Sequence, residues 1–258
     1  MVAGSNPAVP TLLILLSNDD GVHSEGLNLL ARDLQKIARV VVVAPHQEQS
    51  ATSHSITLHR PLRVRRLKRD VYAIDGTPTD CVTLGFHEIL KGKKPDLIVS
   101  GINHGANLGD DVHYSGTVSV AMEGAMLGIP SVAFSLVILG EKQNHFRTAS
   151  RFALKLCRRL SDYRLPSGVM LNVNIPNRSQ APVAEVTKLG KRSYGEIIFE
   201  KIDPRGKKYY WIGGNEKQFV NIPRSDCNAI RAGHISVTPL QVDITHYPVL
   251  EELRGLKL

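Results

Sequence analysis

The longest uninterrupted apolar run near the start of the chain is LLILL, within TLLILLS at residues 11–17, and it predicts a first buried strand. Beyond it, Leu27, Leu30, Leu34 and Ile37 recur at three- and four-residue steps, with Arg32, Asp33 and Lys36 mostly on the opposite side, the pattern of an amphipathic helix. RVVVVAP (39–45), DLIVSGI (96–102), SVAFSL (131–136) and GVMLNVNIP (168–176) predict four more strands, with helices around 79–91, 116–128 and 146–160 in the intervals. Several of these strands are apolar at both odd and even positions, so both faces must be covered. The expected core, about 12–176, is α/β: a doubly wound, mostly parallel sheet between two layers of helices.

Between the second and third strands, SITLHRPLRVRRLKRDVYAIDGTP alternates apolar and basic residues and predicts an antiparallel hairpin at a sheet edge, turning at LKRD. After residue 176 the helical rhythm fades into VAEVTKL, a Gly-, Tyr- and Lys-rich stretch with Trp211, and HISVTPLQVDIT. This is the pattern of a β-rich extension, 177–258, that serves as an oligomerisation arm or closes over a site, all within one domain spanning 1–258. Residues 1–10 are expected to lie outside the fold.

Composition narrows the classes. With 258 residues, 42% hydrophobic and 22% charged, the chain can bury a large core. Lys and Arg outnumber Asp and Glu by 32 to 24, which suits an acidic or phosphorylated partner without separating nucleic acid from a small phosphate ester. The six basic residues between 60 and 69 lack the aromatic interleaving of a single-strand-binding surface, so they are expected to protect an edge strand, with no specific nucleic-acid partner. Cys81, Cys157 and Cys227 have no paired spacing, which predicts free thiols in a reducing compartment. The apolar run at 118–139 is broken by Glu123, Gly128 and Pro130 and reads as helix then strand, not a membrane span. A cytoplasmic protein with no membrane partner is expected.

In an open parallel sheet the ligand lies beyond the carboxyl ends of the strands. There, strand one delivers SNDDG with Asn18, Asp19 and Asp20; strand two is followed by a loop holding Ser50; and strand three leads to Asn103 and Asn107. Alone, NDDG serves equally well as a turn or helix cap. As a set, carboxylate, hydroxyl and amide oxygens without cysteine suit a hard cation such as Mg²⁺ or Mn²⁺. His23, His46, His54, His104 and His113 fall in or near the same loops and leave a softer metal with one imidazole ligand open. Ser115, Gly116 and Thr117 stand at the start of a predicted helix, where free N–H groups and the helix dipole bind phosphate, although Ser-Gly-Thr also caps a helix with no ligand at all. A cation seat beside a phosphate cradle is what metal-assisted phosphoester hydrolysis requires.

SNDDG (17–21), the loop Ser50, DGTPTDCV (75–82), DLIVSGINHGANLGDDVHYSGTVSVAMEG (96–124), GIPSVAFS (128–135), LNVNIP (171–176) and ISVTPLQVDIT (235–245) follow in order along the chain. Through these motifs it closely resembles the SurE family of survival-protein 5'/3'-nucleotidases. The resemblance implies a Rossmann-like core with a swapped C-terminal extension, a homodimer or homotetramer, and a divalent-metal-dependent phosphatase of nucleoside monophosphates, with exopolyphosphatase activity in some members. It places metal ligands on Asp19, Asp20, Ser50 and Asn103, with Asp19, Asp20 and Asn103 also catalytic, and phosphate contacts on Asn107, Ser115, Gly116 and Thr117. The general acid is open between His104, His113 and unassisted departure. The family usually has Gly where this chain has Ala51, so a positive φ there would strain the Ser50 loop. Two rivals stand beside this reading. One is a haloacid-dehalogenase-type phosphatase with an aspartate nucleophile, whose Asp-x-Asp spacing is missing; the other is a nucleotide or nucleic-acid binder using the 60–69 hairpin.

Overall fold

The structure, a computed structural model, describes residues 12–138, 140, 143–163, 165–179, 182–193, 198–212 and 218–256. Residues 1–10 and Thr11, the first residue of the expected strand one, lie outside the described residues. The core strands are β1 (Leu12–Ser17), β2 (Ala38–Pro45), β3 (Val64–Lys68), β4 (Val71–Ile74), β5 (Leu97–His104), β6 (Ser131–Val137) and β7 (Val169–Pro176). The helices between them are α1 (Glu25–Leu34), α2 (Pro78–Leu84, continued by a π-helical turn to Ile89), α3 (Gly116–Met126) and α4 (Phe146–Leu160). Each expected core element is present, within a few residues of its expected bounds.

The C-terminal part contributes β8 (Ala184–Val186), β9 (Arg192–Ser193), β10 (Ile198–Ile202), β11 (Lys208–Ile212), β12 (Gln218–Phe219), α5 (Asp226–Arg231), β13 (Ile235–Gln241) and α6 (Tyr247–Arg254). Strands β4, β2, β1, β5, β6 and β7 run parallel, in that spatial order. β3 pairs antiparallel to β4 at one edge, and β13 pairs antiparallel to β7 and carries β8 outside it. The C-terminal part is thus only partly an appendage. β13 is a full member of the nine-stranded sheet, because Ile235 is buried on one face and Ser236 and Thr238 are buried beside β7.

Alternation in β1 explains its unbroken apolar character. Ile14 and Leu16 pack with Leu27, Leu30 and Leu34 of α1 and with α4, whereas Leu13 and Leu15 pack with Cys81 and Val82 of α2 and Val120 of α3. The sheet therefore lies between two helical layers, the Rossmann-like arrangement. One expectation from periodicity fails: Asp33, assigned mostly to the polar face of α1, is buried and accepts a hydrogen bond from Ser150 of α4 (2.6 Å) and one from Lys36 (2.5 Å). These two bonds hold its carboxyl below the usual range although burial acts in the other direction, so the acid ties α1 to α4.

The basic hairpin forms at the predicted edge, with all five residues of β3 exposed and the turn at Arg69–Asp70. Among the described residues, no helix is long and apolar enough to cross a membrane. The three cysteines are free and buried, and burial pushes the Cys227 thiol up to about 12.

Candidate active site at the carboxyl edge of the sheet

β1 has β2 on one side and β5 on the other, so the strand order reverses there and a crevice opens beyond the carboxyl ends. The chain leaves β1 through Asn18, whose Nδ2 donates to Gly21 O (3.1 Å) and Ser24 Oγ (2.8 Å). That turn delivers Asp19 and Asp20 to the crevice. An open cleft of 1710 Å³ is lined there by Asp19, Asp20, Ser50, Asn103, Asn107 and Ser115, among others. Gly116 and Thr117 are buried directly behind Asp19.

Asp19 is buried and accepts a hydrogen bond from Thr117 Oγ1, while its backbone carbonyl receives Gln49 N–H at 2.8 Å and so anchors the loop that carries Ser50. Burial pushes the Asp19 carboxyl up to about 6; bonding from Thr117 opposes this and the neighbouring Asp20 adds to it. Asp20 is also raised, first by burial and further by Glu48, against the His104 N–H that donates to its Oδ2 at 3.2 Å. Two adjacent carboxylates in surroundings that disfavour their charge create a demand for positive charge.

The donor set suits a hard divalent cation. Asn103 uses its Nδ2 to reach Gly105 O (3.1 Å), which leaves its amide oxygen as a potential ligand. Ser50 donates to Glu48 Oε1 (2.5 Å) and keeps the oxygen lone pairs. Among the described residues no group of three His, Cys, Asp or Glu side chains could hold a metal, so the candidate donors are mixed oxygens with no imidazole cluster. His54 binds Glu123 of α3 (2.9 Å), and the His23 and His46 rings face one another edge-on at 6.4 Å. His104 lines the cleft and its ring lies 6.2 Å from Phe146, whereas His113 is exposed and not part of the cleft wall.

Ser115 caps α3 by accepting Val118 N–H at 3.0 Å. A Cβ at Gly116 would fall 2.8 Å from Asp19 Cβ and 3.0 Å from Asp19 Oδ2, so only glycine lets the positive end of the helix close on the acid. The far wall carries Arg192, ion-paired with Asp111 and 5.8 Å above the Phe219 ring. Neither member of that pair was singled out from the sequence, because nothing in their spacing joins positions 111 and 192. Glu48 could have been found: it stands two residues before Ser50 in the same loop. Ala51 adopts φ 56°, the left-handed conformation that glycine takes without strain.

The profile of the family described as "Survival protein SurE" matches residues 14–196. The chain is 50% identical over 243 residues to a protein of Geotalea daltonii named 5'-nucleotidase SurE, covering 93% of this chain and 97% of the relative. A protein of the same name from Myxococcus xanthus is 49% identical, covering 94% of this chain and 92% of the relative. The crystal structure of the SurE protein from Aquifex aeolicus superimposes with a TM-score of 0.85 at 44% identity, covering 95% of this chain and 100% of that one.

Proposed function

The chain belongs to the SurE family, and from that premise we propose that it is a 5'-nucleotidase: a divalent-metal-dependent phosphomonoesterase that converts nucleoside 5'-monophosphates, and 3'-monophosphates, to nucleoside and phosphate. The observation that carries this reading is the meeting, in one cleft at the point where strand order reverses, of the Asp19–Asp20 pair with the N-terminus of α3. An acidic pair alone would repel a phosphate ester; beside a helix start and a set of neutral oxygen donors it becomes a seat that a cation and a phosphate share.

Asp19, Asp20, Ser50 and Asn103 would hold Mg²⁺ or Mn²⁺, which supplies the positive charge that offsets the carboxylates and polarises the phosphoryl group. Asn107, Ser115 and the Gly116–Thr117 end of α3 orient the phosphate oxygens. A water held by the acidic pair attacks phosphorus opposite the nucleoside oxygen and passes a proton to a carboxylate of that pair, the phosphorus–oxygen bond to the nucleoside breaks, and the leaving oxygen gains a proton. Of the two histidines considered for that proton, His104 is the one assigned, since it lines the cleft. The same phosphate seat would accept the terminal group of a polyphosphate chain.

The protein is further proposed to act as a homodimer or homotetramer in the cytoplasm. Support for assembly comes from the hairpin β10–β11, where Trp211 and Ile212 are 66% and 84% exposed, and from α6, which buries none of its residues in its own chain. Three buried free thiols suit a reducing compartment.

The test is phosphate release from a panel of nucleoside monophosphates, with and without Mg²⁺ or Mn²⁺, for the native chain and Asp19→Asn. Metal-dependent release that falls by about 10³-fold or more in the variant is expected. Folded native protein that releases no phosphate with either metal would overturn the nucleotidase reading.

A further inference from the structure

The sequence LNVNIP places two asparagines, Asn172 and Asn174, at alternate positions of an otherwise apolar central strand, and both are fully buried. Buried amides weaken a core unless every polar group is bonded, so a strand chosen for stability alone would carry aliphatic residues here. Both side chains turn to one residue, Asn107. Asn174 Oδ1 accepts Asn107 N–H (2.8 Å), and the Nδ2 groups of Asn174 and Asn172 donate to Asn107 O at 2.9 and 2.8 Å. Asn174 therefore acts toward the loop as a neighbouring strand's peptide group would, satisfying a backbone N–H and C=O that have entered the interior.

Ser135 of β6, in register with Asn174, completes the arrangement by accepting a hydrogen bond from Asn107 Nδ2 at 2.7 Å. That bond fixes the amide plane and leaves the second Nδ2 hydrogen to be donated elsewhere. Two residues on, Asp226 at the start of α5 accepts Gly109 N–H at 2.9 Å, so the loop is gripped a second time by the C-terminal part of the chain. Gly109 has φ 53°, and a Cβ there would lie 2.9 Å from Gly190 O, which leaves no slack for another loop path. Asn172 meanwhile leaves its own Oδ1 without a hydrogen-bond partner among the described residues. Its donor is spent on holding Asn107.

We propose that Asn174, Asn172 and Ser135 are positioning residues that present the Asn107 amide to the substrate phosphate. The inference rests on the reading that Asn107 contacts phosphate. They reach no reacting atom themselves; they set the backbone and side-chain orientation of the residue that does, and a rigid support bonded to it at several points is what holds such a donor within the small tolerance that catalysis allows.

The experiment compares Asn107→Ala, Asn174→Leu, Ser135→Ala and the Asn107→Ala/Asn174→Leu double variant in the full chain. It measures KM and kcat for AMP, Ki for inorganic phosphate, Mn²⁺ affinity by calorimetry, and thermal stability. Expected are a roughly tenfold rise in KM and phosphate Ki for Asn174→Leu and Asn107→Ala, and a rise of about threefold for Ser135→Ala. Mn²⁺ affinity should stay unchanged, and the double variant should be no worse in Ki than Asn107→Ala. A purely architectural role would lower the melting temperature and leave Ki where it was. If Asn107→Ala raises Ki but folded Asn174→Leu and Ser135→Ala do not, the positioning role is overturned and the phosphate reading stands. If Asn107→Ala leaves Ki unchanged, the phosphate reading of Asn107 fails and the positioning role fails with it. Should Asn174→Leu not fold, Ser135→Ala decides, since it removes one oxygen and leaves the strand pairing intact.

Discussion

Ala51 has φ 56°, where a Cβ crowds the backbone, and it follows directly on the candidate ligand Ser50. Ala51→Gly is expected to stabilise the protein by up to about 1 kcal/mol in urea unfolding, and equal or lower stability would show that the loop accommodates the methyl group. Asp19 sets a second expectation. Its carboxyl is raised from 3.8 to about 6 in the folded chain, so below 3.8 both folded and unfolded states hold the proton, and between the two values only the folded state does. Raising the pH through that window favours the unfolded state, and above about 6 the metal-free protein carries a penalty of roughly 3 kcal/mol at most. Asp19→Asn should therefore stabilise the metal-free protein at pH 7.5 while abolishing phosphate release, the opposition expected of a functional charge. Denaturation of both forms at pH 4 and pH 7.5, with chelator present, checks the sign: the gain should vanish at the lower pH.

Among the elements, α3 couples fold and site most tightly. Its N-cap Ser115 bonds Val118 N–H, Thr117 in its first turn bonds Asp19, and its third turn carries Glu123, which holds His54 in the Ser50 loop. Ser115→Ala should cost about 1 kcal/mol of stability from the lost cap. It should also raise KM for AMP; a variant that loses the stability but keeps native KM would make Ser115 a cap only. β7 is the second such element. Its odd-numbered residues Leu171, Val173 and Ile175 fill the core against the α1–α4 layer, while Asn172 and Asn174 serve the loop after β5. One strand thus supplies packing on one face and polar support on the other, which a period of two makes possible.

At the scale of the molecule, the exposed apolar residues gather on parts that pack least against their own chain. Phe199, Tyr209, Tyr210, Trp211 and Ile212 on the β10–β11 hairpin are all more than 40% exposed, an arrangement expected to find cover in a second copy. Trp211→Ser combined with Ile212→Ser should shift the protein to a smaller species in light scattering coupled to size exclusion. An unchanged mass would place the assembly surface elsewhere, on α6 first.

The sequence by itself pointed to the layered core, the positions of its main strands and helices, and a set of oxygen donors at the strand ends, Asn18, Asp19, Asp20, Ser50, Asn103 and Asn107, of which the family resemblance names Asp19, Asp20, Ser50 and Asn103 as metal ligands. These were legible because burial on two faces writes unbroken apolar runs, helices write three- and four-residue steps, and ligand-bearing residues in open α/β sheets follow the strands. Ala51 was flagged by the resemblance, since the family usually has Gly there, and its φ of 56° bears out the positive φ that such a glycine implies. What the tertiary structure decided is long-range. Asp33 faces inward because Ser150, 117 residues away, bonds it. β13 joins the main sheet because an edge at β7 was left to pair, and Asp111 meets Arg192 on the far wall of the cleft. The two asparagines of LNVNIP acquire a purpose only when the loop after β5 descends onto them. Local periodicity reports whether a side chain faces water or core; which partner waits there depends on chain segments that periodicity cannot see, brought together by folding.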